Sequence, residues 1–231
     1  MKRNVSLASF RLSLVSILLW WLIASFFVIC GILALREHDG LRTIFDLADI
    51  DQALWNAAQG RPFAMTNFPG MTNRLGAHAE FILLPLSLLY RVWSDVRALI
   101  LFQVALLALG AWPVYHLARA ALQSAWAALG MVLLYFLHPA ISGAALMPVY
   151  PAVWGGVFAA YAFYFLRRSS LSAEKAKSAK ESSARPWRLV RFLRSPLFAF
   201  WLFILLAMLC KEDMPLLVGM LTSLVAGFAA I

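Results

Sequence analysis

Long uncharged apolar runs decide what this chain can fold into. Residues 12–35 contain no charged side chain. That exceeds the roughly 20 residues a helix needs to cross the hydrocarbon core of a bilayer. Further apolar runs lie at about 98–118, 122–141, 145–166, 196–210 and 214–231. Lipid cannot satisfy backbone polar groups, so a span of this composition must be a helix. The expectation is an all-α polytopic bundle of about six spans in a single transmembrane domain over 1–231. The run at 196–210 is short, so it must tilt, borrow Val190–Leu193 or form a hairpin with its successor. FILLPLSLLY at 81–90 is too short to span and contains Pro85, which predicts a short juxtamembrane helix. The chain ends inside an apolar run, so it is expected to be a piece of a longer protein.

The first run is not a cleaved leader in this reading. A signal peptide has an apolar core of roughly 7–15 residues followed by a small-residue cleavage site. Here the run is longer, and ALREHDG follows it. The two cysteines, Cys30 and Cys210, lie in apolar runs, which implies neither a disulfide framework nor a metal site.

The net charge of +9 has a distribution that explains it. With the N-terminus in the cytoplasm and the spans alternating, the inner segments hold 13 basic and two acidic residues. The outer segments hold seven basic and nine acidic residues. This is the positive-inside asymmetry. The charge therefore sets topology, and no motif supports nucleic-acid binding. The basic segment 167–195, rich in Ser, Ala and Lys, reads as a cytoplasmic linker that touches anionic headgroups, with an interfacial helix around Trp187.

The largest polar segment is the first outer loop, 36–97. FDLADIDQALWNAAQGRPF at 45–63 places Asp46, Asp49 and Asp51 within six residues. Ile50, Ala53, Leu54 and Ala57 have helical spacing. This predicts a short amphipathic helix capped by Asp49, ended by Gly60 and Pro62, with Trp55 and Phe63 at the interface. Asp51 falls in its first turn, where a carboxylate suits the helix dipole. Asp46 falls in the turn before it and has no such structural reason. Downstream, Arg74, His78 and Glu80 form a polar group in which Arg74 offers a planar fork for phosphate oxygens. The spacing does not describe a metal site. Gln103, His116 and His138, inside apolar runs, read as packing or interfacial residues, and Pro113 and Pro139 as tolerated kinks.

Taken in order, these pieces resemble the DUF2079 family of bacterial multi-pass membrane proteins, related to the GT-C membrane glycosyltransferases. The resemblance rests on Phe45-Asp46-Leu47, then Asp51-Gln52-Ala53-Leu54-Trp55-Asn56, then Gly60 with Pro62-Phe63. Asn73-Arg74-Leu75-Gly76 with His78 follows, and Lys211-Glu212-Asp213 closes the set. Ala48, Asp49 and Ile50 depart from the family pattern, and PVYPA at 148–152 lacks a family histidine.

The resemblance implies the N-terminal part of a GT-C fold in a bacterial cytoplasmic membrane. It implies transfer of a sugar from a polyprenyl-phosphate donor to an acceptor on the outer face, with no cofactor. Asp46, then Asp51, are the implied catalytic bases, and Arg74 and Lys211 the donor-phosphate contacts. Gln52, His78, Glu212 and Asp213 are the implied orienting or substrate-binding residues. Membrane lipids and the lipid-linked sugar are the expected partners. Two other classes stay open: a transporter or flippase, and a non-catalytic membrane protein. A transporter predicts inverted repeats and paired charges within spans; the charges here cluster in the outer loops instead.

Overall fold

The computed structural model describes residues 7–42, 45–68, 70–147, 149–178, 193, 195–216, 218–220 and 223, with the backbone alone at 7–13, 45–46, 67–68 and 173–178. These residues fall into two units, Met1–Asp51 with Leu89–Tyr150, and Gln52–Leu88 with Pro151–Ile231.

The first unit is helical. Helix α1 (Leu7–Asp39) buries Val15, Leu19, Ile23, Phe26, Cys30 and Ala34, a stripe at three- and four-residue spacing. Its other face is equally apolar yet exposed, with Ile17, Trp21 and Ile29 all more than half accessible. Water does not tolerate such a face over a whole helix, whereas lipid does. Helix α4 (Val96–Leu122) packs against α1. Asp95 caps it by accepting the Arg97 N–H, and Gln123 ends it in the left-handed region at φ 53°. Lipid removes most of the hydrophobic drive between helices, so close packing must hold them. Phe26 stacks on Phe136 with ring centroids 4.3 Å apart, an arrangement worth about 1 kcal/mol. A Cβ at Gly31 would sit 3.4 Å from Leu101 Cδ2, so α1 and α4 are in close contact there.

Helices α5 (Ala125–Leu137) and α6 (Pro139–Leu146) form one apolar stretch bent by 50°. The bend has a local cause. Pro139 cannot donate an N–H to α5, and His138 restarts the helix by accepting the Ala140 N–H at Nδ1, 3.2 Å away. His138 is therefore a helix cap. Gln103, 2 % exposed on α4, donates to Ala144 O (2.7 Å) and accepts the Tyr150 N–H (3.0 Å), pinning the end of α6 and the segment after it. This is the packing role expected of Gln103.

In the second unit, helices α7 (Pro151–Ser178) and α8 (Pro196–Met208) pack together. Phe203 of α8 lies among Phe158, Tyr161 and Phe165 of α7, stacking on Tyr161 at 4.8 Å. The rest is a small antiparallel hairpin, β1 (Ala64–Phe68) and β2 (Met71–Asn73), then a 3₁₀ turn at Arg74–Gly76. Helices α2 (Phe45–Ala58) and α3 (Leu83–Val92) contribute to both units.

Among the described residues two helices, α1 and α4, are long and apolar enough to cross a membrane, and a third crossing arises if the bent α5–α6 pair counts as one. Among the described residues the fold is all-α apart from the hairpin. Helix α7 begins at Pro151, six residues later than expected, and continues through Arg167 to Ser178. The start of the supposed 167–195 linker is therefore helix. Helix α8 is short, as its composition predicted. Most of the last apolar run and the region of Trp187 lie outside the described residues.

Candidate functional site

Helix α2 carries the three acids, and its start differs from the expectation. It begins at Phe45, so Asp46 lies in its first turn and Asp49 is an interior residue instead of the cap. The residues before Asp49 continue the apolar spacing, since Leu47, Ile50 and Leu54 are all buried. Asp49 sits on that buried side at 4 % exposure. The Asp46 side chain lies outside the described residues.

Asp51 is half-buried on the same helix. Its Oδ1 accepts a 2.5 Å hydrogen bond from the hydroxyl of Tyr90, a buried residue near the end of α3. Burial raises the proton affinity of Asp51, the Tyr90 hydrogen bond opposes that rise, Asp95 adds to it and His38 opposes it; the net direction is upward. Burial, then the hydrogen bond to Asp51, drives the Tyr90 phenol far above its ordinary range. Tyr90 therefore stays a donor at any working pH. Close by in sequence to His38 and Asp95, Arg97 Nη2 donates to Asp39 Oδ1 at 3.0 Å and ties the end of α1 to the start of α4.

The second unit gathers the other expected residues into a hydrogen-bonded framework. Gln52 Nε2 donates to Thr66 Oγ1 (2.9 Å) and Gln52 Oε1 accepts the Thr66 N–H (2.8 Å), so this side chain holds β1. One helical turn on, Asn56 Nδ2 donates to Ala64 O, and its Oδ1 accepts from Arg61 Nε and Nη2. The Arg61 guanidinium lies 5.4 Å from the Trp55 ring centroid. Gly60 turns the chain between α2 and β1 at φ 81°, a conformation natural to glycine.

Arg74 is 5 % exposed, and its Nε donates to Glu80 Oε2 at 2.8 Å in a buried ion pair. His78 Nδ1 lies 2.9 Å from Glu212 Oε1, and the Ala79 N–H donates to Glu212 Oε2 at 3.0 Å. The His78 contact, assisted by backbone N–H groups, holds the Glu212 carboxyl down at about 2. Leu209 O accepts the Ile82 N–H in the same region. Lys211 is 3.9 Å from Asp213, a loose pair at the surface. His78 and Glu212, both expected as orienting or substrate-binding residues, thus meet across 134 positions of sequence, a pairing that the sequence did not predict.

Two contributors were not foreseen. Tyr90 sits in an apolar run and carries no sequence signal of its own, because only the fold brings it to Asp51. The hairpin had a signal in Pro69-Gly70 between short polar-apolar stretches, and Gly70 does adopt φ 78°.

The exposed apolar faces and long helices define a helical membrane protein. A family model described as a predicted membrane protein (DUF2079) matches residues 37–173, more than half of the chain, and the chain belongs to that family. No curated protein and no solved structure matches it.

Proposed function

We propose that this protein is a GT-C-like membrane glycosyltransferase, moving a sugar from a polyprenyl-phosphate donor to an acceptor hydroxyl outside a bacterial cytoplasmic membrane. The observation that carries the reading is Asp51. It is a half-buried carboxylate of raised proton affinity, and one of its oxygens is already held by Tyr90. An acceptor hydroxyl must lose a proton as it attacks the anomeric carbon. A base works best when its proton affinity is raised toward the working pH. The shift at Asp51 runs in that direction, and Asp46, five residues earlier on α2, is the alternative base that the family resemblance supports.

The resemblance alone assigns the donor phosphate to Lys211 and Arg74. Of the two, Lys211 is the better candidate, since the Arg74 guanidinium is already engaged with Glu80. Gln52, His78, Glu212 and Asp213 serve by shaping the loop. Six crossings with the N-terminus inside complete the reading, on the strength of the charge asymmetry.

The test is transfer of labelled sugar from a polyprenyl-phosphate donor by the protein in nanodiscs. Asp51→Asn is expected to abolish transfer and spare donor binding, and Lys211→Ala to weaken donor binding. Full activity in Asp51→Asn, together with its loss in Asp46→Asn, would move the base five residues back along α2. No transfer and no donor binding by folded protein would overturn the reading.

A further inference from the structure

The contact between α2 and α3 in the first unit offers more than a place for Asp51. Asp51 Oδ1 takes the Tyr90 hydroxyl at 2.5 Å. Among the described residues, Asp51 Oδ2 has no hydrogen-bond partner. Tyr90 is 3 % exposed, whereas Asp51 is partly exposed. One oxygen is therefore fixed by the protein, and the other is left without a partner among the described residues. A carboxylate free to rotate would present either oxygen. A short bond to a rigid, buried phenol removes that choice, because the ring has few rotamers and its neighbours lock them. The charged groups acting on this carboxylate are Asp95, the cap of α4, and His38, in the last turn of α1.

We propose that Tyr90 is a positioning residue that holds Oδ1 of Asp51, so that Oδ2 alone receives the proton of the attacking hydroxyl. The proton leaves the acceptor oxygen and bonds to Oδ2 as the new glycosidic bond forms and the bond to the donor phosphate breaks. Tyr90 neither gains nor loses a proton. This assignment rests on the reading of Asp51 as the base.

The experiment separates the two ideas. The Asp51 carboxyl is titrated in the whole protein in nanodiscs by infrared difference spectroscopy, with Asp51→Asn identifying its band. The tyrosine bond favours the anion, so Tyr90→Phe should move the titration to higher pH. Replacing Tyr90 by 3-fluorotyrosine keeps the volume and strengthens the donor, so it should move the titration to lower pH. That second variant keeps the test alive if loss of the hydroxyl impairs folding. In the transfer assay Tyr90→Phe should lower kcat roughly tenfold with KM little changed, the pattern of a misplaced base. An Asp51 titration identical in wild type and both variants would overturn the role of Tyr90, whatever the transfer rate. Opposite shifts in the two variants, with no transfer by wild type, would instead uphold the tyrosine–carboxylate bond and overturn the glycosyl transfer.

Discussion

The buried Arg74–Glu80 pair should be worth little as a pair and much to break. The two side chains are 7 % and 3 % exposed and meet at 2.8 Å. With charge centres about 4 Å apart and an effective dielectric constant near 20, their gross attraction is about 4 kcal/mol. Dehydrating each ion costs several kcal/mol, so against an apolar pair of equal volume the net gain is near zero. Removing one partner is different, because the dehydration of the other then goes uncompensated, at about 3–5 kcal/mol. The backbone around the pair is independently secured. The Arg74 N–H donates to Phe63 O at 2.8 Å, and Arg74 O accepts from Ala77 and His78. The variants should therefore lose stability without losing the turn. Glu80→Gln keeps an acceptor for Arg74, so its loss is expected near the low end, about 3 kcal/mol. Arg74→Met should lose a similar amount, and Arg74→Met with Glu80→Leu should recover most of it. The assay is denaturant unfolding in detergent micelles, run as a double-variant cycle. A coupling below about 0.5 kcal/mol would refute the reasoning, since exposed pairs show that much.

Three further outcomes follow from specific contacts. Gln103→Leu removes the bonds to Ala144 O and the Tyr150 N–H, and should destabilise the first unit by about 1–2 kcal/mol while speeding hydrogen exchange at Tyr150; unchanged exchange there would deny the pin. At Gly155 of α7 a Cβ would lie 2.6 Å from Met214 Sδ, so Gly155→Ala should lose about 1–3 kcal/mol, and adding Met214→Ala should restore part of it, as thermal unfolding would show. The Glu212 carboxyl is depressed from 4.5 to about 2, so its stabilisation is fully present above pH 4.5 and is lost as pH falls toward 2; Glu212→Gln should flatten that acid limb of a melting-temperature profile, by a small amount because the group is exposed.

What the sequence made legible was local. The apolar runs located α1 and α4. Gly60 marked the end of the helix that carries the acids. The errors came where local rules met a tertiary demand. Asp49 obeys every rule for a cap, yet Leu47 and Ile50 belong to the same buried stripe, and burying that stripe carries the helix back to Phe45. Helix α7 runs into charged sequence because a helix leaving an apolar layer need not stop where the hydropathy does. Arg74 read as an open fork for phosphate, because nothing in a linear pattern shows that Glu80 is folded against it. The site showed the same limit. Gln52, implied by the resemblance to orient or bind substrate, and Asn56 of the same motif both bond to the hairpin, which no linear pattern shows.

The acids of α2 show why the same residue type at close spacing does not mean the same role. A helix turns by 3.6 residues, so Asp49 and Asp51 point in directions about half a turn apart. Asp49 lies on the stripe with Ile50 and Ala53 and is buried with it. Asp51 emerges at the edge of the stripe, partly exposed, where Tyr90 reaches one oxygen. A fully buried carboxylate cannot meet a substrate, and a fully exposed one loses the desolvation that raises proton affinity. Only the edge of an amphipathic helix supplies both access and a raised affinity. An apolar stripe ending in an acid is therefore the useful sequence signal, and on α2 it singles out Asp51 over its buried neighbour.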